Sequence, residues 1–381
     1  MATHNQGRHA RHGRHDGRHG GMAAKMMGGA QGTFAYPDAR HPVFTGKFFD
    51  VAMRNSLAPG KEAQQQIPAG LGLGASLPLL PPPATRTQEG TATSGVPEGE
   101  IHMKFYWGCG SQGRAGQPRE FHMRAKGGKF EVSGDPMQGR YVPDRGVDPD
   151  PSYVLWPNPK TRTRAPANAS LVGPHRITGA GVPESLKFEL QQAADFMPKI
   201  ALTQTGDLTS GVTPGWQPVD RAKAYFLHGL SMQGKTIVIW SSAEVPDAGQ
   251  GVVDFLTGAQ VDRWLKEKVL LSPATTSCAI PKGIFAAPGS NEASPGMISM
   301  IAYGPETHIA LPPKPADPKQ PWDPEWNVRV RTKSTAGALL GMDMSGMEGM
   351  DPGEATPPQG QEQKPEESTT KKVLRGLLRN L

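Results

Sequence analysis

The residues with the widest chemical reach stand near the two ends of the chain. His9, His12, His15 and His19 recur every three or four positions in an Arg- and Gly-rich stretch, and Met342, Met344, Met347 and Met350 recur in a Met-, Asp- and Gly-rich one. Imidazole nitrogen suits Cu(II), Zn or Ni and thioether sulfur suits Cu(I), so two flexible tails carrying both can gather copper without a preformed site. Gly among the histidines prevents a persistent helix. The same compositions also arise in plain low-complexity tails that bind nothing. Copper handling is therefore an alternative function, and no other cofactor is expected.

The last eleven residues carry a different chemistry. Val373, Leu374, Leu377, Leu378 and Leu381 fall at helical spacing, with Lys371, Lys372, Arg375 and Arg379 around them, behind an acidic Pro/Gln/Glu-rich linker from Asp351 to Glu367. Such a segment suits a hydrophobic groove on a partner protein or an anionic membrane surface. Gly376 and the short length make the helix marginal alone, so it is expected to form only when bound.

Enzyme motifs are thin. Gly108-Cys109-Gly110-Ser111-Gln112-Gly113 follows a strand, as a dinucleotide-binding turn does, but Arg114-Ala115-Gly116-Gln117-Pro118 cannot open the helix that would hold a pyrophosphate. The same segment lacks the Gly-x-Ser-x-Gly of a nucleophile elbow. No His-Glu-x-x-His or Cys-x-x-Cys is present. Asp135, Asp144, Asp148, Asp150, Glu244, Asp247, Asp254 and His228 are scattered without paired spacing, and surface or turn roles are expected for each. No catalytic residue is assigned.

The elements that would position such groups are mainly β. Gly 47 and Pro 38 of 381 residues make much of the chain irregular. Apolar residues concentrate between about Ile101 and Val330, which leaves room for two small domains. The strand-length runs Ile101–Trp107, Tyr153–Trp156, Leu186–Leu190, Ile200–Thr203, Thr236–Ser241 and Met297–Gly304, separated by Gly/Pro turns, predict β-sandwiches. Four of these runs end alike and are read as core strands, equivalent positions in two sandwiches. The fold class expected is two small immunoglobulin- or fibronectin-like sandwiches with one amphipathic helix. Thr257 caps that helix, which covers Gly258 to Leu270 and places Val261, Trp264, Leu265 and Val269 on one face.

The expected organisation is a disordered N-terminal arm and linker over 1–99, sandwiches over 100–204 and 205–333 with helix near 261–268, and a disordered tail over 334–381. Within the arm, Val43 to Val51 looks ordered and Ile67 to Pro83 reads as an extended, polyproline-like segment.

Cys109 and Cys278 are the two cysteines, and two lone cysteines fit one disulfide or two inert core thiols. Small and hydroxyl neighbours leave room for a bridge, and one disulfide is the expectation. It favours an oxidising compartment. Residues 1–32 hold no apolar run typical of a signal peptide, and no stretch of about 18 apolar residues predicts a membrane span. A net charge of +6 is spread along the chain rather than gathered on one face, so no specific nucleic-acid binding is expected.

Trp216-Gln217-Pro218-Val219 followed by Ala222-Lys223-Ala224-Tyr225 resembles the region of fibronectin type III-like domains in which a sandwich Trp precedes a Pro turn and the next strand opens on Tyr. More widely, Tyr106–Gly110, Ile239–Val245, Thr276–Gly283 and Lys333–Thr335 look like a group of uncharacterised proteins of Gram-negative bacteria, many with export signals. The resemblance implies a sandwich and a periplasmic or cell-surface location, with the cytoplasm as the other placement, and carries no activity. The leading expectation is a non-catalytic envelope or extracellular protein that binds and assembles through its tails. The rivals are copper handling and a hydrolytic or carbohydrate-active enzyme whose carboxylates converge only in the fold.

Overall fold

The computed structural model describes residues 2–8 (backbone only), 36–37, 39, 46–83, 99–126, 129–137, 139–140, 142, 147, 149–161, 163–208, 210–247, 249, 252, 254–286, 296–317 and 319–340. The strands in chain order are β1 (Ala2–Arg8), β2 (Gly46–Arg54), β3 (Ala63–Gln66), β4 (Ser76–Leu79), β5 (Gly99–Trp107), β6 (Arg119–Lys126), β7 (Lys129–Gly134), β8 (Tyr153–Trp156), β9 (Gly173–Gly179), β10 (Lys187–Leu190), β11 (Leu202–Asp207), β12 (Gly211–Trp216), β13 (Ala224–Gln233), β14 (Thr236–Ser241), β15 (Gly296–Leu311) and β16 (Trp326–Leu339). The helix α1 (Gly258–Lys266) lies between β14 and β15. The fold is mainly β with one helix, as its short alternating runs predict.

Ten strands form one sheet in the order β7-β6-β5-β14-β13-β15-β16-β1-β2-β8, and β10-β9-β3-β4 and β11-β12 form two smaller sheets. Two pairs in the large sheet, β5 with β14 and β1 with β16, are parallel. The β13–β14 hairpin turns at Gly234, which supplies the left-handed φ of 62° that its two-residue loop needs.

Two main cores result, and they share strands. In one, Phe49, Val51, Val154 and Trp156 of the large sheet pack on Leu77, Leu79, Ile177, Phe188 and Leu190 of the four-stranded sheet. In the other, Tyr225, Leu227, Val238, Trp240, Ile298 and Met300 pack under Leu202, Val212 and Trp216 of the β11–β12 hairpin. On the opposite face of β13 and β15, Phe226, Ile301 and Tyr303 meet Val261 and Trp264 of α1. The helix begins as expected: Thr257 accepts from Gln260 N, and the Gln260 side chain accepts from Thr257 N, closing a capping box. Trp216 and Tyr225 meet edge-to-face at 5.5 Å, and the Tyr225 hydroxyl accepts from Val219 N at 2.9 Å. The aromatic pair read from the sequence is thus an interlock between β12 and β13.

Two expectations about organisation are corrected. Residues 46–83, assigned to the arm and linker, supply β2, β3 and β4, and Leu71, Leu77 and Leu79 are fully buried. Residues 67–83, read as one extended polyproline-like segment, make a 3-10 turn at Ala69–Leu71 before β4, and only the extended run of the second half was legible. The ladder of that run was not, because the partners of β3 and β4 include β9, about a hundred positions later. The boundary at 204/205 does not separate two sheets, since β5 pairs with β14 in the same sheet. Nor are the similar runs equivalent strands of two sandwiches: β5, β14, β15 and β8 all belong to that one sheet. The physical reason is the length of β15 and β16. Their hairpin places Ile298, Met300 and Ala336 in one core and Val330 in the other, so neither core closes without it.

Candidate functional site

A groove of about 820 Å³ lies between β2 and β16. It falls in the range of small-ligand and peptide sites. β1 lies between β2 and β16, pairing Ala2 with Asp50 on one side and with Arg331 on the other. Val51–Arg54 of β2 pair with β8 and Trp326–Val330 of β16 pair with β15, and the groove lies between these two segments.

The second sheet contributes the floor, where Ile177, Val182, Leu186 and Phe188 line it. The rim carries Arg54, Glu325, His308 and Arg329, and also Leu57, which is 79% exposed. Under the floor, His175 is 2% exposed, accepts from Gln65 Nε2 at Nδ1 (3.1 Å) and donates from Nε2 to Leu171 O (2.8 Å). Burial pushes its imidazole below the usual value, outweighing the hydrogen bond to Leu171. A neutral His175 with both nitrogens engaged serves packing.

A second polar centre lies beneath α1. Asp247 and Asp254 are buried, at 1% and 3% exposure. Surface or turn roles were expected for both: exposure is corrected, because Ala243, Val252 and Leu256 pack against α1 and carry the acids inward, while Asp247 does accept from Gly249 N two positions on, as a turn Asp does. Asp254 faces Lys333 Nζ at 3.8 Å, and Lys333 stands 4.4 Å from the Phe255 ring. Asp247 pairs with Arg140 at 3.2 Å, and Arg140 also reaches Glu267 at 2.7 Å. The Tyr303 hydroxyl donates to Val252 O. Burial, then the charges of Asp254 and Asp247, raise the Tyr303 phenol well above its ordinary value. Every acid in this centre faces a cation, which is how buried charge is tolerated.

A third cluster lies on the opposite end of the large sheet. His102 Nε2 is 3.1 Å and His122 Nε2 3.7 Å from Glu120 Oε2, and the two imidazole rings stack at 3.8 Å. His102 Nδ1 lies 3.3 Å from Thr236 Oγ1, and Lys104 Nζ lies 3.6 Å from Glu120 Oε1. Partial burial of Glu120 acts upward on its carboxyl, but the bond from His102 and the charge of Lys104 outweigh it and hold the group below its ordinary value.

The other residues singled out in the sequence are dispersed. Asp135 pairs with Arg119 at 2.9 Å, Glu244 with Arg114 at 2.5 Å, and Asp150 accepts from Ser152 N at 2.7 Å. His228 sits within β13. The Gly108–Gly113 segment is a turn followed by β6 rather than by a helix. Cys109 in that turn and Cys278 are joined, with sulfurs 2.08 Å and Cα atoms 5.0 Å apart. Asp144 and Asp148 lie outside the described residues. So do the candidate ligands His9, His12, His15, His19, Met342, Met344, Met347 and Met350, and the docking segment Lys371, Lys372, Val373, Leu374, Arg375, Leu377, Leu378, Arg379 and Leu381.

The His102–Glu120–His122 cluster was missed in the sequence. Its one local trace is the Glu120-x-His122 alternation, which places two ligand types on one face of a strand. Among the described residues no helix is long and apolar enough to cross a membrane. Comparison with protein-family models, with curated proteins and with solved structures finds no match.

Proposed function

We propose that this chain is a non-catalytic binding and assembly protein that holds an extended polypeptide segment in the groove between β2 and β16. The observation that carries this reading is the groove itself, with Val51–Arg54 of β2 and Trp326–Arg329 of β16 along its sides and Ile177, Val182, Leu186 and Phe188 as an apolar floor. An extended segment laid along the groove between β2 and β16 would place alternate side chains on the apolar floor. The exposed Leu57 at the rim fits the same use, since large apolar groups at a groove edge mark contact surfaces. Of the acids singled out in the sequence, Asp135, Glu244, Asp247 and Asp254 each face a cation and Asp150 accepts from Ser152 N, which favours binding over hydrolysis. The Cys109–Cys278 disulfide supports an oxidising compartment, the periplasm or the cell exterior.

The test places a photo-crosslinking residue at Val182, on the groove floor, in the full chain in its native cell, with Lys187 as an exposed control outside the groove. Crosslinks from 182, and not from 187, to a defined segment of another polypeptide are expected. Crosslinks from 182 that stay within the chain overturn the reading.

A further inference from the structure

Two strands bring His102, Glu120 and His122 together. In the antiparallel pair of β5 and β6, His102 stands directly opposite His122, and Lys104 directly opposite Glu120. Residues two apart share a face. The register therefore puts two imidazoles and a carboxylate on one side of the sheet, although eighteen positions separate His102 from Glu120.

The spacing of the donor atoms matches a metal ion's needs. Metal–nitrogen bonds of about 2.0–2.1 Å in a tetrahedral site put neighbouring ligands about 3.3–3.4 Å apart. Here the separations from Glu120 Oε2 are 3.1 Å to His102 and 3.7 Å to His122, and all three ligand atoms lie within 4.8 Å of one another. Small ring rotations bring them onto one ion. The 3.3 Å contact of His102 Nδ1 with Thr236 Oγ1 on β14 holds the ring, and when a metal ion replaces the Nε2 proton the proton moves to Nδ1, which then donates to that hydroxyl. Metal-binding imidazoles are commonly fixed in this way by a bond at the second nitrogen. Lys104 engages the other Glu120 oxygen, Oε1, so Oε2 is the oxygen that faces both imidazoles. The set is exposed on its outer side, with Glu120 at 43% and His122 at 44% side-chain exposure, so a fourth position faces water.

We propose that His102 Nε2, His122 Nε2 and Glu120 Oε2 bind one divalent transition metal ion of the zinc class, with water at the fourth position. Two imidazoles and a carboxylate suit Zn, Ni or Cu(II) over Mg or Ca, which prefer all-oxygen shells. The ion would tie β5 to β6 next to β7, the outermost strand of the sheet. This site is separate from the groove, and its failure leaves the binding reading untouched.

The experiment is calorimetric titration of ZnCl2 into the full chain in which His9, His12, His15 and His19 are replaced by Gln, which removes that histidine cluster as a competing site. One zinc per chain is expected. His102→Gln with His122→Gln in the same background loses that equivalent, while thermal melting without metal confirms the fold. Should His102→Gln impair folding, the exposed His122→Gln alone decides, with the same loss expected. Absence of zinc uptake by the tail-substituted chain, or unchanged uptake after the ligand replacements, overturns the proposal.

Discussion

The polar centre beneath α1 and the cluster on β5 and β6 contain similar residue types, yet they stand in opposite physical situations. Asp254 and Lys333 are 5% and 1% exposed, and each is the other's compensation for lost water. Glu120 and His122 are nearly half exposed and lose little hydration, so their proximity costs little and leaves donor atoms free. A buried charge pair commits its groups to the fold. An exposed one keeps them available for a ligand. The difference arises because β13 and β15 are covered on both faces, whereas β5 and β6 lead to an open sheet edge.

The contrast is broken most severely at the buried side. Asp254→Ala leaves Lys333 buried without its carboxylate and is expected to cost about 3–5 kcal/mol in chemical denaturation. A loss under about 1 kcal/mol would mean that the centre is wet. Next comes the disulfide between Cys109, which follows β5, and Cys278, which belongs to the core under the β11–β12 hairpin. Replacing both by Ser is expected to lower stability by about 2–5 kcal/mol, read as a fall in the denaturation midpoint under non-reducing conditions.

Histidine sharpens the comparison further. Burial holds His175 below its ordinary value of 6.5, so the unfolded chain takes up its proton before the folded one does. Its contribution is complete above about pH 6.5 and is lost as pH falls through the lower folded-state value. Urea midpoints measured from about pH 7.5 down to about pH 5 should therefore fall in the native chain, and fall less relative to the neutral reference in His175→Gln. The smallest effect belongs to the exposed cluster. His122→Gln in metal-free buffer should change stability by no more than about 0.5 kcal/mol, and a larger change would show that the cluster serves the fold.

Much of this molecule is determined by local sequence. Tyr153–Trp156 and Thr236–Ser241 are strands at the bounds their β-branched and aromatic runs predict, and Thr257 with Gln260 starts α1 where the capping residues stand. The Trp216–Tyr225 interlock is also local, with nine positions between the rings. These features depend on neighbours within one or two turns of chain, and composition and periodicity record such neighbours directly. What only tertiary structure decided is long-range register. Leu77 and Leu79 sit in a Pro- and Gly-rich stretch that reads as linker until β3 pairs with β9 and closes a core over them. Asp247 and Asp254 look like surface acids until the chain folds under α1 and meets Arg140 and Lys333. The groove needs β2 and β16, nearly three hundred positions apart, and the His102–Glu120–His122 set needs one particular alignment of β5 with β6. A shift of one residue in that alignment would turn the ligands of one strand to the opposite face, because side chains alternate along a strand.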